Sequence, residues 1–346
     1  MSGSPGGIPV IALTGHLGAG KTTLLNHLLR CPDTRIGVII NDFGELNVDA
    51  GLVAGQIDEP ASIAGGCICC LPDGGGLEDA LRKLADPARR LDAIIVEASG
   101  LADPVAIARI IGFSEVVGVR AGGLVDVVDA ANHFDTVDCT QLPPARYGAA
   151  SLIVVNKLDQ VPENDRSAVV RRVQQRVSQR NPQVQVVGTT GGRVDPALLF
   201  DASETWATSA TPEDAGQLSF RELLLDSDHA HDHVRADAVT VSSTGCVDAE
   251  ALLDLLEQPP SGVYRLKGVV AVRQRAGVRT YVVNLVGSAI DIRKAPARAV
   301  PNSLVAIGMN LDCEDVRIKL EKSVRPAAAP SERGLRRLQR YRRLSA

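Results

Sequence analysis

The stretch from residue 8 to residue 30, IPVIALTGHLGAGKTTLLNHLLR, restricts the fold more than any other part of this 346-residue chain. Ile8 to Leu13 is the apolar, β-branched run that a buried parallel strand needs, and Thr22 to Leu29 carries leucines at helical spacing. Between them Gly15, His16, Leu17, Gly18, Ala19, Gly20, Lys21 and Thr22 fit the pattern G-x-x-x-x-G-K-[ST]. Strand, glycine-rich turn and helix in that order make a phosphate cradle. The glycines let backbone N–H groups point inward, and the helix N-terminus adds a favourable dipole. Lys21 is the expected counter-charge for β- and γ-phosphate oxygens, and the Thr22 hydroxyl is the expected ligand of Mg²⁺. A dinucleotide fold is disfavoured, because its glycine spacing differs and it has no use for Lys21.

Further apolar runs at Ile36 to Ile40, Leu91 to Val96, Gly123 to Val128, Ser151 to Val155 and Val184 to Val187 alternate with helical stretches such as Leu77 to Ala85 and Arg166 to Ser178. This order predicts an α/β domain over residues 8–200 with a doubly wound, mostly parallel sheet, whose functional residues collect at the strand carboxyl ends. Residues 1–7 are expected to be disordered. From 201 to 236 the periodicity gives way to Ser, Thr, Asp, Glu and His, as in a linker. Residues 237–323 predict a smaller α+β domain: strands at Ala238 to Ser242, Gly262 to Arg273, Arg279 to Val286 and Leu304 to Ile307, with helices at Asp248 to Leu256 and Glu314 to Leu320. The last segment, 324–346, ends in RGLRRLQRYRRLSA with Leu335, Leu338 and Tyr341 at threefold spacing, and reads as a partly helical, solvated basic tail.

Net charge is −4 with a pI near 5.9, so no overall basic field points to nucleic acid or an anionic membrane. The start, MSGSPGG, has no cationic leader region, and no run of about 18 apolar residues occurs. The expected compartment is the cytoplasm. Seven cysteines, three of them crowded at Cys67, Cys69 and Cys70, do not form a disulfide framework. The scattered Cys31, Cys139, Cys246 and Cys313 are expected to be small buried hydrophobes.

Four clusters carry chemistry. SLIVVNKLD places Asn156, Lys157 and Asp159 at the end of a strand. Guanine presents donors at N1 and N2, which the Asp159 carboxylate can accept; adenine presents an acceptor there and would leave the carboxylate unpaired, so GTP is preferred over ATP. LDAIIVEASG ends a strand in Glu97, where a second carboxylate near Mg²⁺ is wanted. NDFGELNVDAG gathers Asn41, Asp42, Glu45 and Asp49 in one loop, suited to Mg²⁺ ligation, water orientation or metal binding, without a choice among them. GGCICC offers three thiols that can converge on one ion; soft thiolates favour Zn²⁺, Co²⁺, Cu⁺ or Ni²⁺, and a fourth ligand, such as Asp42 or Glu45, must come from elsewhere. The linker adds His229, His231 and His233 among acidic residues, a tract that suits loose divalent-metal binding as well as plain solvation.

GHLGAGKTTLLNHLL, NDFGELNVD, GGCICC, VEASGLADP and NKLD, in that order, resemble the CobW-like metallochaperone GTPases of the SIMIBI class, and YRLKG with LVAIGMNLD resembles their C-terminal domain. The resemblance covers residues 8 to about 323. It implies a GTPase in which Gly15, Gly18, Ala19, Gly20, Lys21, Thr22 and Thr23 hold phosphate, Thr22 and Glu97 hold Mg²⁺, and Asn156, Lys157 and Asp159 read guanine. Lys21, Glu45 and Glu97 take the catalytic roles, and Cys67, Cys69 and Cys70 bind a transition metal, zinc first, for delivery to a client metalloprotein. Cobalt delivery for cobalamin synthesis, or insertion of iron or cobalt into a nitrile hydratase-type enzyme, is the alternative of the same kind. A GTP-dependent switch with a structural metal is the alternative of a different kind. A homodimer fits the family, although no residue requires it, and neither nucleic acid nor membrane is an expected partner.

Overall fold

A computed structural model of the protein describes residues 7–31, 34–41, 61–63, 75–100, 102–200, 236–274, 277–295, 303–327 and 330–345. Its first sheet holds seven strands: β1 (Ile8–Gly15), β2 (Ile36–Asn41), β3 (Ala61–Ile63), β4 (Ala93–Glu97), β5 (Val119–Asp129), β6 (Leu152–Asn156) and β7 (Gln185–Gly188). They lie in the order β3-β2-β4-β1-β5-β6-β7, and every pairing is parallel. Every residue of β4 and of β6 is buried, which is why these strands read as unbroken apolar runs rather than as alternating ones. The chain builds outward from β1 on the β4 side first and then on the β5 side. The reversal opens a crevice at the carboxyl end of β1, where a ligand of an open α/β sheet binds.

The two faces of this sheet are covered differently. One carries α2 (Gly75–Leu84), α3 (Pro104–Gly112) and α6 (Glu163–Ser178), which insert Leu77, Leu81, Ile107, Ile111, Val173 and Val177 into a single core. Two short helices, α4 (His133–Thr136) and α5 (Arg146–Ala149), lie between β5 and β6. The other face carries α1 (Lys21–Leu29), through Leu24, Leu25 and Leu28, together with Tyr264, Val286, Ile307 and Met309 from the second sheet. An antiparallel sheet thus occupies a place that further helices fill in an ordinary doubly wound domain.

That second sheet consists of β8 (Asp237–Ser242), β9 (Val263–Gln274), β10 (Gly277–Val286), β11 (Ala289–Lys294) and β12 (Ser303–Gly308), ordered β11-β10-β9-β12-β8. All its pairings are antiparallel. One face packs on α7 (Ala249–Glu257), α8 (Cys313–Ser323) and α9 (Glu332–Leu344), with Leu252, Leu253, Val316, Leu320 and Leu338 against Val270, Val283 and Leu304. The opposite face meets the first domain, where the Tyr264 hydroxyl donates to Ser151 Oγ at 3.4 Å and Arg265 Nη1 donates to the Ala197 carbonyl at 3.0 Å.

Three expectations need correction. The segment after residue 330 is helical, as expected, but one of its faces is docked rather than solvated. Ser331 caps α9 through its hydroxyl, Leu338 is buried, and Arg337 is clamped between Asp254 and Glu257 of α7. Cys139 and Cys313 are exposed and Cys31 and Cys246 are half-buried, because they sit in loops or at helix ends rather than on core-facing positions. Strand β11 is absent from the sequence-based expectation because AIDIRK is short, carries three charges and has one fully buried residue, which leaves little apolar pattern to mark it. Among the described residues, no helix is long and apolar enough to cross a membrane.

Candidate functional site

Residues from four neighbouring strand ends converge at the crevice. Gly15 ends β1, the loop 16–20 turns back, and α1 begins at Lys21. Lys21 is only 8% exposed, with Nζ 3.2 Å from the Gly15 carbonyl and 3.5 Å from that of His16, so its ammonium lies inside the loop. Thr22 Oγ1 donates to Glu97 Oε1 at 2.9 Å across the β1–β4 pair, where Glu97 stands in register with Leu13. Gly18 and Thr23 are exposed and Ala19 is buried. A hydroxyl and a carboxylate brought together in this way are hard oxygen donors, which suit Mg²⁺ and not a thiophilic metal.

Asn156, the last residue of β6, ties this loop to another. Its Nδ2 donates to the Ala19 carbonyl at 3.1 Å, and its Oδ1 accepts from the Gly192 N–H at 2.9 Å. Two glycines permit that approach. At Gly20, with φ of 102°, an added Cβ would lie 2.2 Å from Asn156 Nδ2; at Gly192, with φ of 66°, it would lie 2.7 Å from Leu24 Cα. Lys157 follows in a left-handed conformation, φ 63°, and pairs with Asp129 Oδ2 at 2.7 Å. Burial alone would raise the Asp129 pKa, yet hydrogen bonds from Lys157 and Asn132 outweigh it and leave this carboxylate below its usual range. Asp159 is exposed in the turn Leu158–Gln160.

Beside the loop lies a cleft of about 330 Å³, lined by His16, Leu17, Gly18, Asp129, His133 and Arg146 among others. Its wall is a buried polar chain. Asp126 accepts from Thr14 Oγ1 at 2.8 Å and from Arg146 Nε at 2.8 Å and Nη2 at 2.5 Å. Tyr147 donates to Asp138 at 3.1 Å and accepts from His133 Nε2 at 2.5 Å, while Arg176 grips Asp138 with two nitrogens. Burial lowers the His133 pKa to about 4, so the ring is neutral at physiological pH, with its proton on Nε2 facing the tyrosine oxygen.

Of the residues singled out by sequence, Lys21, Thr22, Glu97, Asn156 and Lys157 are tied to this crevice by the contacts above, and Asp159 lies two residues beyond Lys157 in an exposed turn. Sequence reading missed Asp126, Asp129, His133, Arg146 and Gly192. One signal for the acids was present: VDVVDA sets two charges into a strand otherwise apolar on both sides, and buried charges need partners. Asp42, Glu45, Asp49, Cys67, Cys69, Cys70, His229, His231 and His233 lie outside the described residues.

Comparison with known proteins gives matches across both domains. A family model described as the CobW/HypB/UreG nucleotide-binding domain matches residues 9–187, and the cobalamin synthesis protein cobW C-terminal domain matches residues 236–324. A relative named zinc chaperone CobW, from a Sinorhizobium species, is 30% identical over 337 residues, covering 89% of this chain and 87% of its own. Zinc chaperone YjiA of Escherichia coli is 33% identical over 203 residues, 57% of this chain and 62% of that protein. The crystal structure of Zn(II)-bound YjiA GTPase from E. coli aligns with 93% of this chain and 99% of its own at 23% identity and a TM-score of 0.41.

Proposed function

The chain belongs to the CobW/HypB/UreG nucleotide-binding family, and from that premise we propose that it hydrolyses GTP and, under nucleotide control, delivers a transition metal, zinc first, from Cys67, Cys69 and Cys70 to a client protein. The observation that carries the nucleotide half is the Asn156 amide, bonded at once to the phosphate loop and to the loop after β7. On this reading the two bonds tie the phosphate loop to the strand end that carries Lys157 and Asp159.

Within that frame each residue has a task. Lys21 exchanges the carbonyls of Gly15 and His16 for phosphate oxygens, a gain because a charge-assisted bond to an anion is stronger than one to a neutral carbonyl. The loop N–H groups and the start of α1 hold the remaining phosphate charge. Thr22 and Glu97 would hold Mg²⁺, which when bound neutralises charge on the β- and γ-phosphates. Asp159 accepts the guanine N1 and N2 protons, and the aliphatic stem of Lys157, with its ammonium anchored on Asp129, covers the purine plane. Glu45 and Asp42, which follow β2 in the chain, are the candidates for orienting the attacking water or completing the metal site.

The metal half is supported by the thiolate chemistry of C-x-C-C and by relatives that bear the name zinc chaperone. If nucleotide state alters metal affinity, bound metal must alter nucleotide affinity by the same factor. The test is a titration of the reduced protein with Zn²⁺ and with Co²⁺, in the presence of Mg²⁺ and either a non-hydrolysable GTP analogue or GDP. We expect cobalt–thiolate charge-transfer absorption and tighter binding with the GTP analogue, both lost in Cys69→Ser/Cys70→Ser. Equal affinity in the two nucleotide states would overturn the gated delivery.

A further inference from the structure

We propose that the outer face of α9 is a docking surface for an acidic segment of a partner polypeptide. This helix lies beyond the matched family regions, which end at residue 324, so the CobW-type domain does not account for it. Its inner face is fully engaged. Leu338 is 1% exposed, Arg337 pairs with Asp254 and Glu257, the Tyr341 hydroxyl donates to Glu257 at 3.1 Å, and Ser345 Oγ accepts from the Ile292 N–H at 2.9 Å. At 3.6 residues per turn, Arg336, Arg340 and Arg343 then fall along a single line on the opposite side.

These three guanidinium groups are exposed and have no anionic partner among the described residues. They surround a shallow depression of about 300 Å³, with Gln339 and a 73% exposed Leu344 also lining it. The whole chain carries a net charge of −4, so this stripe is a local concentration set against the overall charge. Guanidinium forks pair with carboxylates in bidentate fashion, and acidic residues one helical turn apart match the rise between successive arginines.

The depression favours a polypeptide over other anions. Leu344 and the aliphatic arginine stems give it an apolar floor, which suits an acidic peptide carrying an apolar side chain. A single-stranded nucleic acid would want an aromatic platform, but Tyr341, the helix's aromatic residue, is turned inward to Glu257. A membrane would want the helix's apolar face, which is already spent in the domain core.

The test uses the full chain and a fluorescein-labelled peptide of Glu, Ala and Leu with its glutamates on one helical face, followed by anisotropy. We expect binding that weakens as salt rises and that drops by about tenfold or more in Arg336→Gln/Arg340→Gln/Arg343→Gln. Arg342→Gln, which removes one charge from off the stripe, should change affinity by no more than about twofold. GTP hydrolysis should be the same in all three proteins, so this result stands or falls apart from the proposed GTPase function. Absence of peptide binding, equal affinity in the triple variant, or displacement of the peptide by duplex RNA or phosphatidylserine vesicles at lower concentration would overturn the proposal.

Discussion

The two sheets place their polar residues in different ways. In the parallel sheet β1, β4, β5 and β6 all run in one direction, so Gly15, Glu97, Asp129 and Asn156 end on the same edge and form one site. In the antiparallel sheet neighbouring strands end at opposite edges. Its buried polar residues, Arg265 and Asn284, lie within strands, and Arg265 reaches the first domain from the face of the sheet. A parallel sheet therefore concentrates chemistry at an edge, whereas this antiparallel one is used as a face that docks.

The strongest test of that division is Lys21→Ala, which removes the only charge inside the phosphate loop. Hydrolysis of GTP in single-turnover assays should fall by about a thousandfold, the scale of losing an electrostatic donor at a phosphoryl-transfer site. Stability offers a second test, because assembling the edge requires burying His133. Its folded pKa, about 4, lies below the ordinary 6.5, so between those values the unfolded chain binds a proton that the folded one refuses. Stability contributed by the neutral ring is complete above pH 6.5 and is lost as pH falls towards 4, by roughly 3 kcal/mol at most. Urea midpoints at pH 7 and pH 5 should differ clearly, and His133→Gln should reduce that difference.

Asp159→Asn sharpens the division at the base end. It should weaken GTP binding by about a hundredfold and improve binding of xanthosine triphosphate, whose C2 carbonyl accepts from an amide. The smallest effect belongs to the face. Arg265→Ala removes a hydrogen bond to Ala197 and should cost about 1–3 kcal/mol in thermal or denaturant unfolding. Its effect on nucleotide affinity, measured by fluorescent GDP dissociation, should stay below about fivefold. A loss comparable to that of Asp159→Asn would mean that edge and face are not separate.

What could be read from sequence was whatever a few consecutive residues determine. A phosphate loop needs its glycines and lysine within eight positions, and Asn156, Lys157 and Asp159 occupy one turn, so both patterns are legible in the sequence. Glu97 was legible because it ends an apolar strand. The rest depends on pairings remote in the chain. Thr14 meets Asp126 across 112 positions, and Asn156 joins Ala19 to Gly192 through a side chain that propensity says nothing about. The spacing of Leu335, Leu338 and Tyr341 was visible in α9, but its partners Asp254 and Glu257 lie more than 80 residues earlier, and without them the segment read as solvated.

The core shared between the sheets has a thermodynamic consequence. Tyr264, Val286, Ile307 and Met309 complete an apolar layer that Leu25, Val127 and Val154 of the first domain would otherwise expose to water. Neither domain is then a natural cooperative unit by itself. A ligand bound at the carboxyl edge of the parallel sheet should therefore slow amide exchange in the antiparallel sheet as well, although none of that sheet's described side chains lines the cleft.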